Sequence, residues 1–266
     1  MDPRLDWLLQ CADQLNSSTE LGHAVNVRKI VAHLGIRLCK RIDLSLPKVA
    51  GRLNQDGDSS FSITIVRTTN KPIPLRVRER FTIAHEIAHY LLIKKFGWNP
   101  QTGKEYQRCE HYCDQFAARL LVPVSLIKEI AFSNAQGLYL HLNSLRRNLN
   151  VSLEVLARSF VAQNVGIATC MIDGVTRNCK GQEVLRVIWG ATSSKLFRCN
   201  SKAYIIPDTH EHKKLSEAWK NALGNSAAGF YSTSLASIYA ARIALISSKV
   251  FIVACEQKVT SQHISA

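Results

Sequence analysis

Acidic residues are scarce in this chain. Asp and Glu total 20 against 34 Lys and Arg, a formal charge of +14. Such a surface attracts anionic partners without distinguishing DNA, RNA, a membrane or an acidic protein. A bilayer-length apolar run is also missing. The most apolar late stretch, Ile238 to Cys255, is interrupted by Arg242 and Lys249, which excludes a spanning helix there. The opening MDPRLDWLLQ has no hydrophobic core followed by a cleavage site, so a cytoplasmic protein with no membrane partner is the expectation. No C-x-x-C pair occurs among Cys11, Cys39, Cys109, Cys113, Cys170, Cys179, Cys199 and Cys255. Without a secretory signal, reduced thiols are expected. Cys109 and Cys113 lie one helical turn apart and read as buried thiols; a structural zinc site there would need further ligands. No internal repeat or low-complexity tract is evident. The composition itself is globular, 46% hydrophobic and 20% charged, which excludes a disordered or fibrous chain. A length of 266 residues suits one large domain or two smaller ones.

Periodicity predicts the organisation. Leu5, Leu8, Leu9, Ala12 and Leu15 suit an amphipathic helix over 3–16. A second helix is expected from Val25 to His33, with Gly35 as its stop. Gly51 to Leu53 and Phe61 to Val66 read as short strands around the turn-rich NQDGDSS. Lys71 to Pro74 is a break. Helices follow over 75–93 and 105–121, separated by a loop containing Gly97, Asn99, Pro100 and Gly103. Weaker helical segments cover 124–132 and 138–147, and Ser152 is an N-cap for VSLEVLARSFVAQ. After Asn164 the texture changes. Ile167 to Ile172, Val184 to Ile188, Ala203 to Ile206 and Val250 to Cys255 read as strands. His210 to Leu223 reads as a polar helix and GNSAAG as a turn. The boundary is placed near residue 164, dividing a helical domain with a small sheet (1–164) from a mixed α/β domain (165–266).

The most informative feature is Ala84-His85-Glu86-Ile87-Ala88-His89, an H-E-x-x-H motif on a predicted helix. Residues four apart share a helix face, so the imidazoles of His85 and His89 can converge on one Zn²⁺. Glu86 lies beside them, within reach of a metal-bound water. A catalytic zinc needs a third protein ligand and an open water position. Glu110 is a candidate for that ligand, and His111 is an alternative pointing about 100° away around the helix. Asp114, four residues after Glu110, suits a hydrogen bond from the non-coordinating nitrogen of a ligand histidine. Mn²⁺ or Fe²⁺ also suit nitrogen and carboxylate donors. The bland alternative is a polar helix face carrying unrelated histidines and a solvated acidic face.

These residues sit in Arg80-Phe81-Thr82-Ile83-Ala84-His85-Glu86-Ile87-Ala88-His89-Tyr90-Leu91-Leu92, followed by Glu110-x-x-x-Asp114-x-Phe116-Ala117-Ala118-x-Leu120-Leu121-x-Pro123. Together they resemble the ImmA/IrrE metallo-endopeptidases, with family-like features from about residue 20 to residue 165. The resemblance implies an α+β fold: a zincin-like metalloprotease domain with a small antiparallel or mixed sheet, followed by a smaller mixed α/β domain. It implies zinc on His85, His89 and Glu110, with Glu86 as catalytic base. Some relatives carry a GAF-like sensory domain after the protease, which the tail resembles only in position and texture. The chain departs from the family at Ala88, often Gly, and at Tyr112, where a second acidic residue is usual. The implied partner is a helix-turn-helix repressor, cleaved to release stress-response or mobile-element genes.

The expected reaction is peptide-bond hydrolysis. Glu86 takes the water proton and returns it to the leaving amine. Tyr90, His111, Tyr112, Tyr139 and His141 are open candidates for an extra oxyanion donor. An extended substrate is expected beside an exposed strand edge, with Phe61 to Val66 the candidate. Arg76, Arg78 and Arg80, like Lys94 and Lys95, read as solvated helix faces. No recognition helix or compact basic-aromatic cluster stands out, so direct nucleic-acid binding is not expected. The rival reading is a non-enzymatic sensor or partner-binding regulator with a metal-stabilised core. Glu86 weighs against it, because a structural site needs no general base.

Overall fold

The structure is a computed structural model. It describes residues 2–17, 23–42, 51–57, 60–67, 76–127, 135–163, 167–177, 183–193, 204–205, 220, 222, 228–232, 236–242 and 250–256. The chain forms two compact units: Met1–Leu126 with Leu145–Leu156, and Ile127–Ser144 with Ala157–Ala266.

In the first unit, helix α1 (Pro3–Asn16) starts where Pro3 fixes the backbone and the Asp2 carboxylate accepts from Arg4 N–H; both features favour a helix start. Leu5, Leu8 and Ala12 form its buried stripe. Helix α2 (Val27–His33) is capped by the Asn26 side chain and followed by Gly35 at φ +69°. Three strands come next: β1 (Arg37–Ile42), β2 (Gly51–Gln55) and β3 (Phe61–Arg67). Their order is β1-β3-β2, with β1 parallel and β2 antiparallel to β3.

This mixed sheet corrects one expectation. Phe61 to Val66 lies in the middle strand and offers no free edge, because β1 pairs along one side and β2 along the other. Among the described residues, β1 and β2 are the edges.

Helix α3 (Val77–Phe96) begins where Glu79 accepts from Arg76 N–H, and ends at Gly97 in the left-handed region, φ +61°. Glycine takes that conformation without a Cβ clash. Helix α4 (Gly103–Leu121) stops at Val122, before Pro123. Helix α3 packs on α4 and against β2 and β3, and α1 packs on α4. The α1–α4 contact is tied by Asn16 Nδ2, which donates to Leu120 O at 3.0 Å, and by an Arg119–Asp13 ion pair at 2.7 Å. Arg80 does not solvate a helix face. It is buried, and it donates to Leu149 O and Asn150 O at 3.4 and 3.2 Å.

Helix α5 (Ala135–Leu149) and helix α6 (Leu153–Gln163) contribute residues to both units. The Ser152 hydroxyl accepts from Val155 N–H, the cap expected for α6. Of the 124–132 segment, Val124–Leu126 forms a single 3₁₀ turn. Residues 128–134, the Lys71 to Pro74 break and nearly all of the expected 210–223 helix lie outside the described residues.

The second unit holds a six-stranded antiparallel sheet of β4 (Ile167–Arg177), β5 (Glu183–Thr192), β6 (Tyr204–Ile205), β7 (Ala228–Ser232), β8 (Ala236–Arg242) and β9 (Val250–Glu256). The order is β6-β5-β4-β9-β8-β7, so the first and last strands pair at the centre. Cys170, Ile172, Val184, Val187 and Ile252 are buried in it. The end of GNSAAG, read as a turn, opens β7. The fold is thus mixed α/β with small sheets. Among the described residues no helix is long and apolar enough to cross a membrane, and Cys11, Cys39, Cys109, Cys113 and Cys170 are free thiols.

Candidate metal centre

Helix α3 presents His85 and His89 one turn apart. Ala84 and Ala88 are fully buried beside them, and their small side chains let α3 sit close to its neighbours. The two Nε2 atoms stand 3.1 Å apart. Helix α4 brings the Glu110 carboxylate to the same point, with Oε1 3.1 Å from His89 Nε2 and Oε2 3.4 Å from His85 Nε2. Ligands held about 2.1 Å from a tetrahedral Zn²⁺ stand about 3.4 Å apart. Two imidazole nitrogens and a carboxylate that turns one oxygen towards each of them, at about that spacing, suit such an ion as donors.

Cys113 also comes close. Its sulfur and one nitrogen each from His85 and His89 lie within 4.8 Å of one another, a His/His/Cys cluster able to hold a metal ion. The Glu110 oxygens stand at 3.1 and 3.4 Å from the same two histidines, and in the metal-free chain burial pushes the enclosed Cys113 thiol upward, towards the protonated form. A metal ion deprotonates a thiol that coordinates it, so Cys113 and Glu110 both stand beside the two histidines as candidate third donors.

The outer nitrogens have different partners. His85 Nδ1 is 2.9 Å from Asp114 Oδ1. His89 Nδ1 is 3.7 Å from Cys109 Sγ. Hydrogen bonds from Cys113 and His89 lower the Cys109 thiol to about 6 against the opposing effect of burial. Burial works against a charge on His89, but the Cys109 contact and the charges of Cys109, Glu86 and Glu110 outweigh it and raise its pKa.

Glu86 does not join the nitrogen cluster. Its Oε2 accepts from Leu53 N–H at 2.8 Å, so edge strand β2 touches the motif's carboxylate. Gly51 permits this approach, since a Cβ there would collide with Thr82 Cγ2 on α3.

The other candidates are engaged elsewhere. Tyr90 donates to Leu34 O, and His111 contacts Gln115 on the exposed side of α4. Tyr112 packs on Trp98 and hydrogen-bonds Asp2. Tyr139 and His141 belong to the second unit. Two neighbours escaped the sequence reading, Cys109 and Tyr106. The Tyr106 hydroxyl has its pKa raised first by the Glu110 charge, and it hydrogen-bonds that carboxylate. Tyr106 lies one turn before Glu110 on the same face of α4, and that spacing was the available signal; Cys109, next to Glu110, is about 100° around the helix.

Residues 76–160 match the model of the IrrE N-terminal-like domain. The IrrE-like domain contains α3, α4, α5 and most of α6, and so every residue of the centre apart from the β2 contact. Together with the His/His/Cys cluster it suggests metal-dependent catalytic potential. No curated protein matches the chain. Among solved structures, a Mycobacterium tuberculosis transcriptional regulator is similar at 12% identity and a TM-score of 0.48, over 96% of this chain and 77% of that one. At that score the likeness carries no argument about function.

Proposed function

We propose that the chain is a narrow-specificity zinc endopeptidase whose metal is held by His85, His89 and Glu110. The reading is carried by the convergence of these three side chains at 3.1–3.4 Å, with Glu86 on the same helix. A bound zinc ion supplies Lewis acidity towards water and the scissile carbonyl. Glu86 takes a proton from the attacking water and delivers it to the leaving amine. Leu53 N–H holds one Glu86 oxygen, which orients the carboxylate and leaves the other oxygen to handle the proton. Asp114 accepts from His85 Nδ1–H, keeping the Nε2 lone pair turned towards the metal.

The substrate lies extended along the outer edge of β2, antiparallel pairing being the mode an edge strand offers. The partner implied by the IrrE-like domain is a helix-turn-helix repressor, so that cleavage derepresses stress-response or mobile-element genes. The +14 charge suits work close to DNA-bound protein. Residues 165–266 are assigned the regulatory part, a GAF-like sensory domain being the reading that the antiparallel sheet of their described residues suits.

The test is incubation of zinc-loaded wild type and Glu86→Gln with a repressor encoded beside the gene, followed by fragment mapping. Wild type is expected to cut at one or a few sites. Glu86→Gln should retain zinc and lose about 10²–10⁴-fold in rate. Unchanged cleavage by the variant would sink the mechanism. No cleavage by zinc-loaded wild type would favour a non-enzymatic, metal-stabilised regulator.

A further inference from the structure

Both histidines need their outer nitrogen protonated if Nε2 is to offer a lone pair. For His85 that proton faces the Asp114 carboxylate at 2.9 Å. For His89 it faces a sulfur, Cys109 Sγ, at 3.7 Å. A carboxylate, carbonyl or water is the usual acceptor behind a metal-bound imidazole, so the thiol is a departure. The sulfur is enclosed, 1% exposed, and no water can easily replace it. With Nε2 facing the metal, His89 Nδ1–H is the donor of the 3.7 Å contact and Cys109 Sγ its acceptor, and Cys109 is further linked to Cys113, one turn along α4.

We infer that Cys109 is a positioning residue for the metal centre, its sulfur fixing the tautomer and ring orientation of His89. The inference rests on His85 and His89 being metal ligands. It gives α4 three tasks within two turns: Glu110 reaches the shared point, Asp114 braces His85 and Cys109 braces His89. The two braces differ in kind. Asp114 is exposed and anionic, whereas Cys109 is buried and soft, so the centre's second histidine depends on a thiol that solvent does not back up.

Co²⁺ titration of the full chain tests this, with wild type, Cys109→Ala, Cys109→Ser and Cys113→Ala compared. Cys109→Ala should weaken Co²⁺ binding about 10- to 100-fold, the usual cost of losing an outer partner. Its metal-free melting temperature should fall no further than that of Cys113→Ala, which also removes one buried sulfur from α4. Cys109→Ser keeps an acceptor on a shorter bond and should recover at least part of the loss. In metal-loaded wild type, nitrogen-edited NMR should show a slowly exchanging His89 Nδ1–H, and Cys109→Ala should lose it. Cys113→Ala should bind Co²⁺ more tightly than Cys109→Ala, with no sulfur-to-cobalt charge-transfer band in wild type. The inference is overturned if Cys109→Ala binds as wild type does, or if Cys109→Ser is as weak as Cys109→Ala. A strong charge-transfer band lost in Cys113→Ala would overturn it in favour of direct sulfur ligation. If wild type binds no Co²⁺ at all, the metal-centre reading itself fails, an outcome distinct from the others.

Discussion

Helices α3 and α4 each supply part of one centre, yet they are held in opposite ways. From Glu79 to Ile93 no residue of α3 is exposed. Helix α4 is exposed over 103–108 and again at His111 and Asp114, while Cys109, Cys113, Phe116, Ala117 and Leu120 line its buried side. Helix α3 is clasped by α4 on one side and by β2 and β3 on another. Its histidines are therefore fixed by the core, and any change beneath them moves the fold. Helix α4 presents Glu110 and Asp114 from the margin of its buried stripe, so those side chains can change without disturbing what holds the helix. Structure and chemistry are coupled in α3 and nearly separable at Glu110 and Asp114 of α4.

The sharpest way to break the comparison is a core deletion in α3. Ile87 lies between the two histidines and is fully buried. Ile87→Ala should cost about 2–5 kcal/mol, the range for removing a buried aliphatic side chain. Urea denaturation of the metal-free chain reads this directly. Metal affinity should fall together with stability. If affinity were lost with stability intact, α3 would not be held by its core.

Much of this contrast was legible in the sequence, because the apolar spacing around H-E-x-x-H marks a helix and the E-x-x-x-D spacing marks a shared face. The strand edge was not. Phe61, Ile63 and Ile65 are buried and alternate as a strand should, but alternation does not tell a central strand from an edge. The partner that closes one side of β3, Arg37–Ile42, carries Arg37, Lys40 and Arg41 on exposed positions. It therefore gives no period-two apolar signal and went unforeseen. Cys109 was seen as a buried thiol, and its link to His89 was invisible because it depends on how α3 and α4 cross. Arg80 misled for a similar reason: its charge reads as surface, but its guanidinium serves buried carbonyls at the end of α5.

Gly51 tests whether α3 is as closely clasped on its sheet side. Any side chain there meets Thr82, so Gly51→Ala must push β2 away from α3. Overpacking of this kind costs about 1–3 kcal/mol. The displacement should also break the Leu53 N–H contact to Glu86. Turnover should then fall while Co²⁺ affinity stays close to wild type, because the histidines do not touch β2. A Gly51→Ala variant with wild-type turnover would show that β2 does not position Glu86.

Asp114→Ala is the counterpart in α4. The residue is exposed, so the melting temperature of the metal-free chain should barely move, surface changes being worth about ±0.5 kcal/mol. Metal affinity should nevertheless fall about 10- to 100-fold through loss of the His85 contact. Calorimetry against Zn²⁺ alongside thermal melts separates the two readouts. A large stability loss with unchanged affinity would reverse the proposed division between the helices.

The smallest effect concerns how α4 is anchored at its exposed end. The Asp2 carboxylate caps α1, accepts from Arg4 and hydrogen-bonds Tyr112 of α4. The Arg4 hydrogen bond holds Asp2 well below the usual carboxylate range, against a small opposing effect of burial. A depressed folded value means the stabilisation is fully present above the unfolded value of about 3.9 and is lost as the pH falls through the folded one. The pair sits at the partly covered helix start, so its worth is taken as that of an ordinary helix cap, about 0.5–1 kcal/mol. Melting of wild type and Asp2→Asn should therefore differ modestly at pH 7. The difference should hold down to about pH 4 and shrink below it. A gap that stayed constant to pH 2 would mean that Asp2 acts through its shape rather than its charge. The charge-dependent ties between α1 and α4 would then be the Arg119–Asp13 and Arg4–Glu105 pairs.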